Sequence, residues 1–143
     1  MMNEVVAMIY LLWCSRWDLK KRYIPARTLL VGAFAGVMVF IGRALWTGRW
    51  EWASALIGLI PGACVCALSF VTTDQIGLGD GLILLVIGWM LGVQRATVAT
   101  VIGLFSATLF GMVLVVLKRG NLHTAIPFIP FLTLGLGVSM FIA

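Results

Sequence analysis

Apolar and polar residues alternate along this chain in long blocks, with apolar stretches near 5–17, 28–46, 52–71, 82–93, 96–117 and 125–143. A helix that crosses a bilayer needs about 20 apolar residues, fewer where other helices shield it. Each stretch therefore predicts one membrane-spanning helix, and the whole predicts an all-α bundle of six. The first and fourth stretches are short. They reach spanning length only if the polar residues at one end of each, 18–22 and 76–81, also lie at the bilayer surface, and both of those ends carry acids. Pro61 predicts a kink inside the third helix, which neighbouring helices tolerate. Trp46, Trp50 and Trp52 gather at one boundary, as interfacial aromatics do. Gly32 and Gly36 stand at the spacing that lets helices pack closely. No linker, low-complexity tract or internal repeat interrupts the pattern, so residues 1–143 read as a single membrane-embedded domain.

Composition strengthens that reading and excludes its rivals. Hydrophobic residues make up 62% of the chain and charged residues 10%, with a mean hydropathy of +1.12. Soluble domains run at roughly 45–50% and about 25%. One soluble core of this size cannot hide so much apolar surface, which excludes water-soluble enzymes, disulfide scaffolds and disordered chains. The first residues lack the basic region of a signal peptide. Leu11-Leu12-Trp13-Cys14 resembles a lipoprotein site only until Trp13, which is too bulky for its position, so this segment reads as the first span. Cys14, Cys64 and Cys66 form no CxxC pair and have no His at ligand spacing, and neither a metal nor another cofactor is expected.

The formal charge is +5, from ten Lys and Arg against five Asp and Glu. No basic run stands beside stacking aromatics, so nucleic acid is not an expected partner. The basic residues instead report orientation. Six spans leave five loops; the first, third and fifth hold Arg16, Lys20, Lys21, Arg22, Arg27, Lys118 and Arg119, and the second and fourth hold Arg43, Arg49 and Arg95. The excess places the odd loops in the cytoplasm and both termini outside. His123, in the fifth loop, is expected to be a surface residue.

The acids carry the candidate chemistry. Glu4 and Glu51 fall at outer boundaries, where solvation is expected. Asp18, Asp74 and Asp80 fall at cytoplasmic ends. A carboxylate at a helix centre costs roughly 2.5–3.5 kcal/mol on insertion scales, less near an end, so each needs a reason. Structural reasons exist: Asp18 stands four residues before Arg22, and Asp80 after Gly77 and Gly79 fits an N-cap. The functional alternative is that the two aspartates meet. Neighbouring carboxylates share one proton, and such a pair supplies a base for water and an acid for a scissile carbonyl. The glycines of Gly77-Leu78-Gly79-Asp80 allow close backbone approach to a substrate.

These segments resemble the type IV prepilin and preflagellin leader peptidases, intramembrane aspartyl proteases of the GxGD type. Asp18-Leu19-Lys20-Lys21-Arg22-Tyr23-Ile24-Pro25 is similar to the family's first motif. Asp74-Gln75-Ile76-Gly77-Leu78-Gly79-Asp80 is similar to the second, with Asp74 where Glu is usual, and Ile126-Pro127-Phe128-Ile129-Pro130-Phe131 to the third, with Ile129 where Gly is common. Gly81-Leu82 and Ala26 depart from the family's more frequent Val-Lys and Asn. The resemblance implies Asp18 and Asp80 as the catalytic pair, with Asp74, Gly77, Gly79 and Pro127 binding substrate or shaping the site. It implies cleavage of prepilin-like precursors, at the cytoplasmic face of the cell membrane, after a glycine that ends a short basic leader. Only a handful of residues separate Asp18 from the second span, so the extended insertion of members that also methylate their product is missing. A catalytically inactive pilin-binding relative and a small proton- or cation-coupled transporter remain as alternatives.

Overall fold

The computed structural model describes residues 2–21, 24–71, 77–117 and 126–142. Every element in them is helical: α1 (Met2–Lys21), α2 (Ala26–Thr47), α3 (Trp52–Gly58), α4 (Ile60–Val71), α5 (Leu78–Leu91), α6 (Val93–Val116) and α7 (Ile129–Ile142). Helices α3 and α4 are two parts of one span, so the described residues make six apolar passes. The break falls at Leu59, just before Pro61. Proline has no N–H to give the carbonyl four residues back, and its ring crowds that carbonyl.

Three passes are long and apolar enough to cross a membrane outright: Ala26–Thr47, Trp52–Val71 and Val93–Val116. They are also the least buried, with most of their apolar surface facing outward. The 14-residue α5 and α7 lie further inside. Helix α5 buries one side through Gly81, Ile83, Leu84, Ile87, Met90 and Leu91, keeps Leu82, Leu85, Val86 and Trp89 half-buried on the other, and touches α1, α2, α3, α4 and α6. A helix apolar on every side belongs inside, and one shielded by others does not need full bilayer length. The core joins α5 to α1 through Ala7, Leu11 and Cys14, and to α7 through Ile129, Leu132 and Leu136.

Glycines set the closest approaches. A Cβ on Gly88 would collide with the carbonyl of Gly58, and one on Gly62 with the backbone at Leu84 and Leu85, so α3, α4 and α5 pack backbone to backbone. Gly32 and Gly36 serve differently. The Tyr10 ring fills the space over Gly32, while Trp89 and Met90 lie over Gly36. Gly92, with φ 76°, turns α5 directly into α6, so Arg95 sits in the first turn of α6 rather than in a loop.

Candidate active site

Alternation of the passes brings the end of α1 and the beginnings of α2, α5 and α7 to one end of the bundle. Along α1, Ala7, Tyr10, Cys14 and Asp18 follow one another at helical spacing on a buried face, and Asp18 is only 7% exposed. The Tyr10 hydroxyl donates to the carbonyl of Thr28 at 3.3 Å, tying α1 to α2.

Asp18 is held from the far end of the chain. Its Oδ2 accepts the backbone N–H of Ile129, the first residue of α7, at 3.3 Å. The first N–H groups of a helix lack intrahelical partners. Here the carbonyl of Phe128 accepts from Phe131 and Leu132, each at 3.0 Å, and Pro130 has no N–H. Ile129 is left with an N–H aimed outward, and Asp18 receives it.

Asp80 stands in the first turn of α5. Gly77 occupies the N-cap position without a side-chain cap, and the Asp80 N–H donates to the Gly77 carbonyl at 3.0 Å. Asp80 is therefore not the N-cap that its sequence context allows. Its carboxyl folds back over Gly77, with Oδ2 3.3 Å from where a Cβ there would lie. Gly79 faces the Ile24 side chain, and Gly81 faces Cys66 on α4. The last contact accounts for a glycine directly after Asp80: any side chain would push α4 away. The carboxylates of Asp18 and Asp80 lie within range of each other's charge.

The structure thus gathers Asp18, Asp80, Gly77, Gly79 and the Ile24-Pro25 segment at one end. Pro127 joins them from the approach to α7, where Ile126 packs over Gly111. Asp74, Arg22 and His123 lie outside the described residues, as do Lys118 and Arg119. Arg16, Lys20 and Arg27 are exposed at the Asp18 end. Among the described residues, no group of three or more His, Cys, Asp or Glu side chains stands together as a metal site.

One expectation is corrected at the opposite end. Glu4 is not solvated: it is buried and pairs with Arg95. A carboxylate beside an apolar core keeps its charge cheaply only with a partner, and the one-residue turn at Gly92 brings Arg95 within reach. Glu51 is exposed and pairs with Arg43. The Ile129 contact was not read from the sequence. Its one signal there is Pro130, which removes a donor from a helix start and leaves its neighbour's N–H outstanding.

Residues 5–116, most of the chain, match the type IV leader peptidase family; the Ile126-to-Phe131 segment lies beyond the matched stretch. No curated protein and no solved structure matches the chain.

Proposed function

The chain belongs to the type IV leader peptidase family, and on that premise we propose that it is an intramembrane aspartyl endopeptidase with Asp18 and Asp80 as its catalytic pair. The observation that supports this reading is the placement of two carboxylates from separate helices at one end of a largely apolar bundle, one 7% exposed and the two within range of each other's charge. Two such groups do not both ionise cheaply, so the pair holds one proton. The ionised aspartate takes a proton from water as the water oxygen attacks the scissile carbonyl carbon. The protonated aspartate gives its proton to the carbonyl oxygen. Collapse of the resulting diol breaks the C–N bond, and the amine leaves with a proton returned from the pair.

The substrates are prepilin-like precursors, with a short basic leader cut off after a glycine and a hydrophobic helix following in the bilayer. Gly77 is exposed beside Asp80 and gives an extended peptide room to approach. Asp74 pairs with the basic leader, contributing about 0–1 kcal/mol if that pair is exposed. The reaction takes place on the cytoplasmic side, where the basic excess lies. Residues 22–25 alone separate α1 from α2, a gap too short for a methyl-donor insertion there, which supports cleavage without methylation of the product.

Co-expression with a cognate precursor tests the proposal. A gel shift that marks leader removal, present with the wild-type chain and lost with Asp80→Asn at equal membrane insertion, is the expected result. A precursor that binds but is never shortened would point to the inactive pilin-binding alternative.

A further inference from the structure

We infer that the first turn of α7 is a positioning element for Asp18, in which the Ile129 N–H orients the carboxylate and Pro130 withholds the adjacent N–H that would compete for it. The inference rests on the catalytic-pair reading and adds a role for a segment that holds no acid.

A helix start ordinarily offers its second and third N–H groups to a capping oxygen. In α7 the third is taken by the Phe128 carbonyl, and the second does not exist because Pro130 occupies that position. The first, from Ile129, is the one that reaches Asp18 Oδ2. An added N–H beside it would let the carboxylate swing towards two donors at once. The Ile129 N–H holds Oδ2 on the α7 side and so helps to set the plane of the carboxyl group.

The donor itself is rigidly mounted. The Ile129 and Leu132 side chains are fully buried. Gly103 of α6 lies against the Leu132 backbone, and Gly135 of α7 against the Ala99 carbonyl, so α7 is locked along α6. A reacting group held by a rigid donor loses rate steeply when moved by even about an ångström. Ile129 and Pro130 act through Asp18 and are positioning residues.

Two variants change the donor count in opposite directions. Ile129→Pro deletes the N–H, at the helix position where proline is best tolerated; Pro130→Ala adds one. Pro130→Ser adds the same N–H and repeats the test should the alanine variant insert poorly. The full chain is purified, reconstituted in vesicles and assayed on a precursor, with kcat and KM determined per folded, inserted molecule. The expected result is a fall in kcat of about tenfold or more in both directions, with KM within about twofold. A purely structural role predicts instead that activity falls only as the amount of folded protein falls. That outcome, or wild-type kcat per folded molecule in the variants, overturns the inference. Asp18→Asn run alongside separates the two levels: if it is inactive while the turn variants match wild type, only the positioning role fails; if it is active, the catalytic pair fails.

Discussion

The Ile24 side chain lies over Gly79, its Cδ1 3.0 Å from where a Cβ on that glycine would stand. The residue before Pro25 thus rests on the second glycine of Gly77-Leu78-Gly79-Asp80, and the entry to α2 is seated on the first turn of α5. That contact fixes the depth of Asp80 relative to α1 and α2. Because the obstructing atom is the tip of a flexible side chain, Gly79→Ala should be accommodated at a cost of about 1 kcal/mol or less. Gly79→Val should cost about 1–3 kcal/mol as an overpacked site. Leader cleavage should fall in the same order, measured per inserted molecule; equal activity in both would separate this contact from the placement of Asp80.

Replacing either aspartate should remove essentially all cleavage. Asp18→Asn and Asp80→Asn should each lower kcat by about 10³-fold or more, and the double variant should be no worse, because the pair acts as one unit. The check is leader removal measured alongside the amount of folded, inserted protein. Near wild-type cleavage by either single variant would falsify the pair.

The ion pair at the other end should matter for stability and not for chemistry. Glu4→Gln leaves Arg95 facing a neutral side chain and should destabilise by about 1–3 kcal/mol. The double replacement Glu4→Leu with Arg95→Met should recover much of that loss, since apolar residues of similar volume replace a buried pair at little cost. Thermal unfolding in detergent reads both. A double variant less stable than Glu4→Gln would contradict the argument.

Glycine substitutions should divide by what stands opposite. Gly88→Ala meets the backbone of Gly58 and Leu59, which cannot move aside cheaply, and should lower stability by about 1–3 kcal/mol. Gly42 has nothing within 4 Å of a Cβ. Gly42→Ala should therefore be neutral or stabilising by up to about 1 kcal/mol. The same melting experiment distinguishes them, and equal effects would mean that α3 and α5 do not meet as described.

Single-cysteine labelling should place the two ends of the bundle. In a cysteine-free background, Asp74→Cys should react with membrane-impermeant reagents only from the cytoplasmic side, and Arg49→Cys only from outside. Labelling of residue 74 from outside would overturn both the orientation and the cytoplasmic site of cleavage.

Much of this architecture follows from hydropathy alone. The length of an apolar run is set by bilayer thickness, so the runs near 28–46, 52–71 and 96–117 announce helices that appear nearly as read. Counting passes then settles which ends share a side, and that is why Asp18 and Asp80 could be placed together without knowing a single tertiary contact. The acids at the ends of the short first and fourth runs carried the same information, because a charge beside hydrocarbon demands a reason. Hydropathy does not encode which helices are neighbours. A lipid-facing side chain and one facing an apolar helix look alike in sequence, so nothing marked α5 as the helix touching five others, nor Gly58 and Gly88 as a point of backbone contact. Glu4 was misjudged for the same reason: its partner Arg95 stands 91 positions away, and only the turn at Gly92 brings the two together. The bond from Ile129 to Asp18 spans 111 positions and uses a backbone N–H, which every residue but proline possesses. A donor common to the whole chain leaves no trace in its letters, and packing of α7 against α1 and α6 decided which one Asp18 would meet.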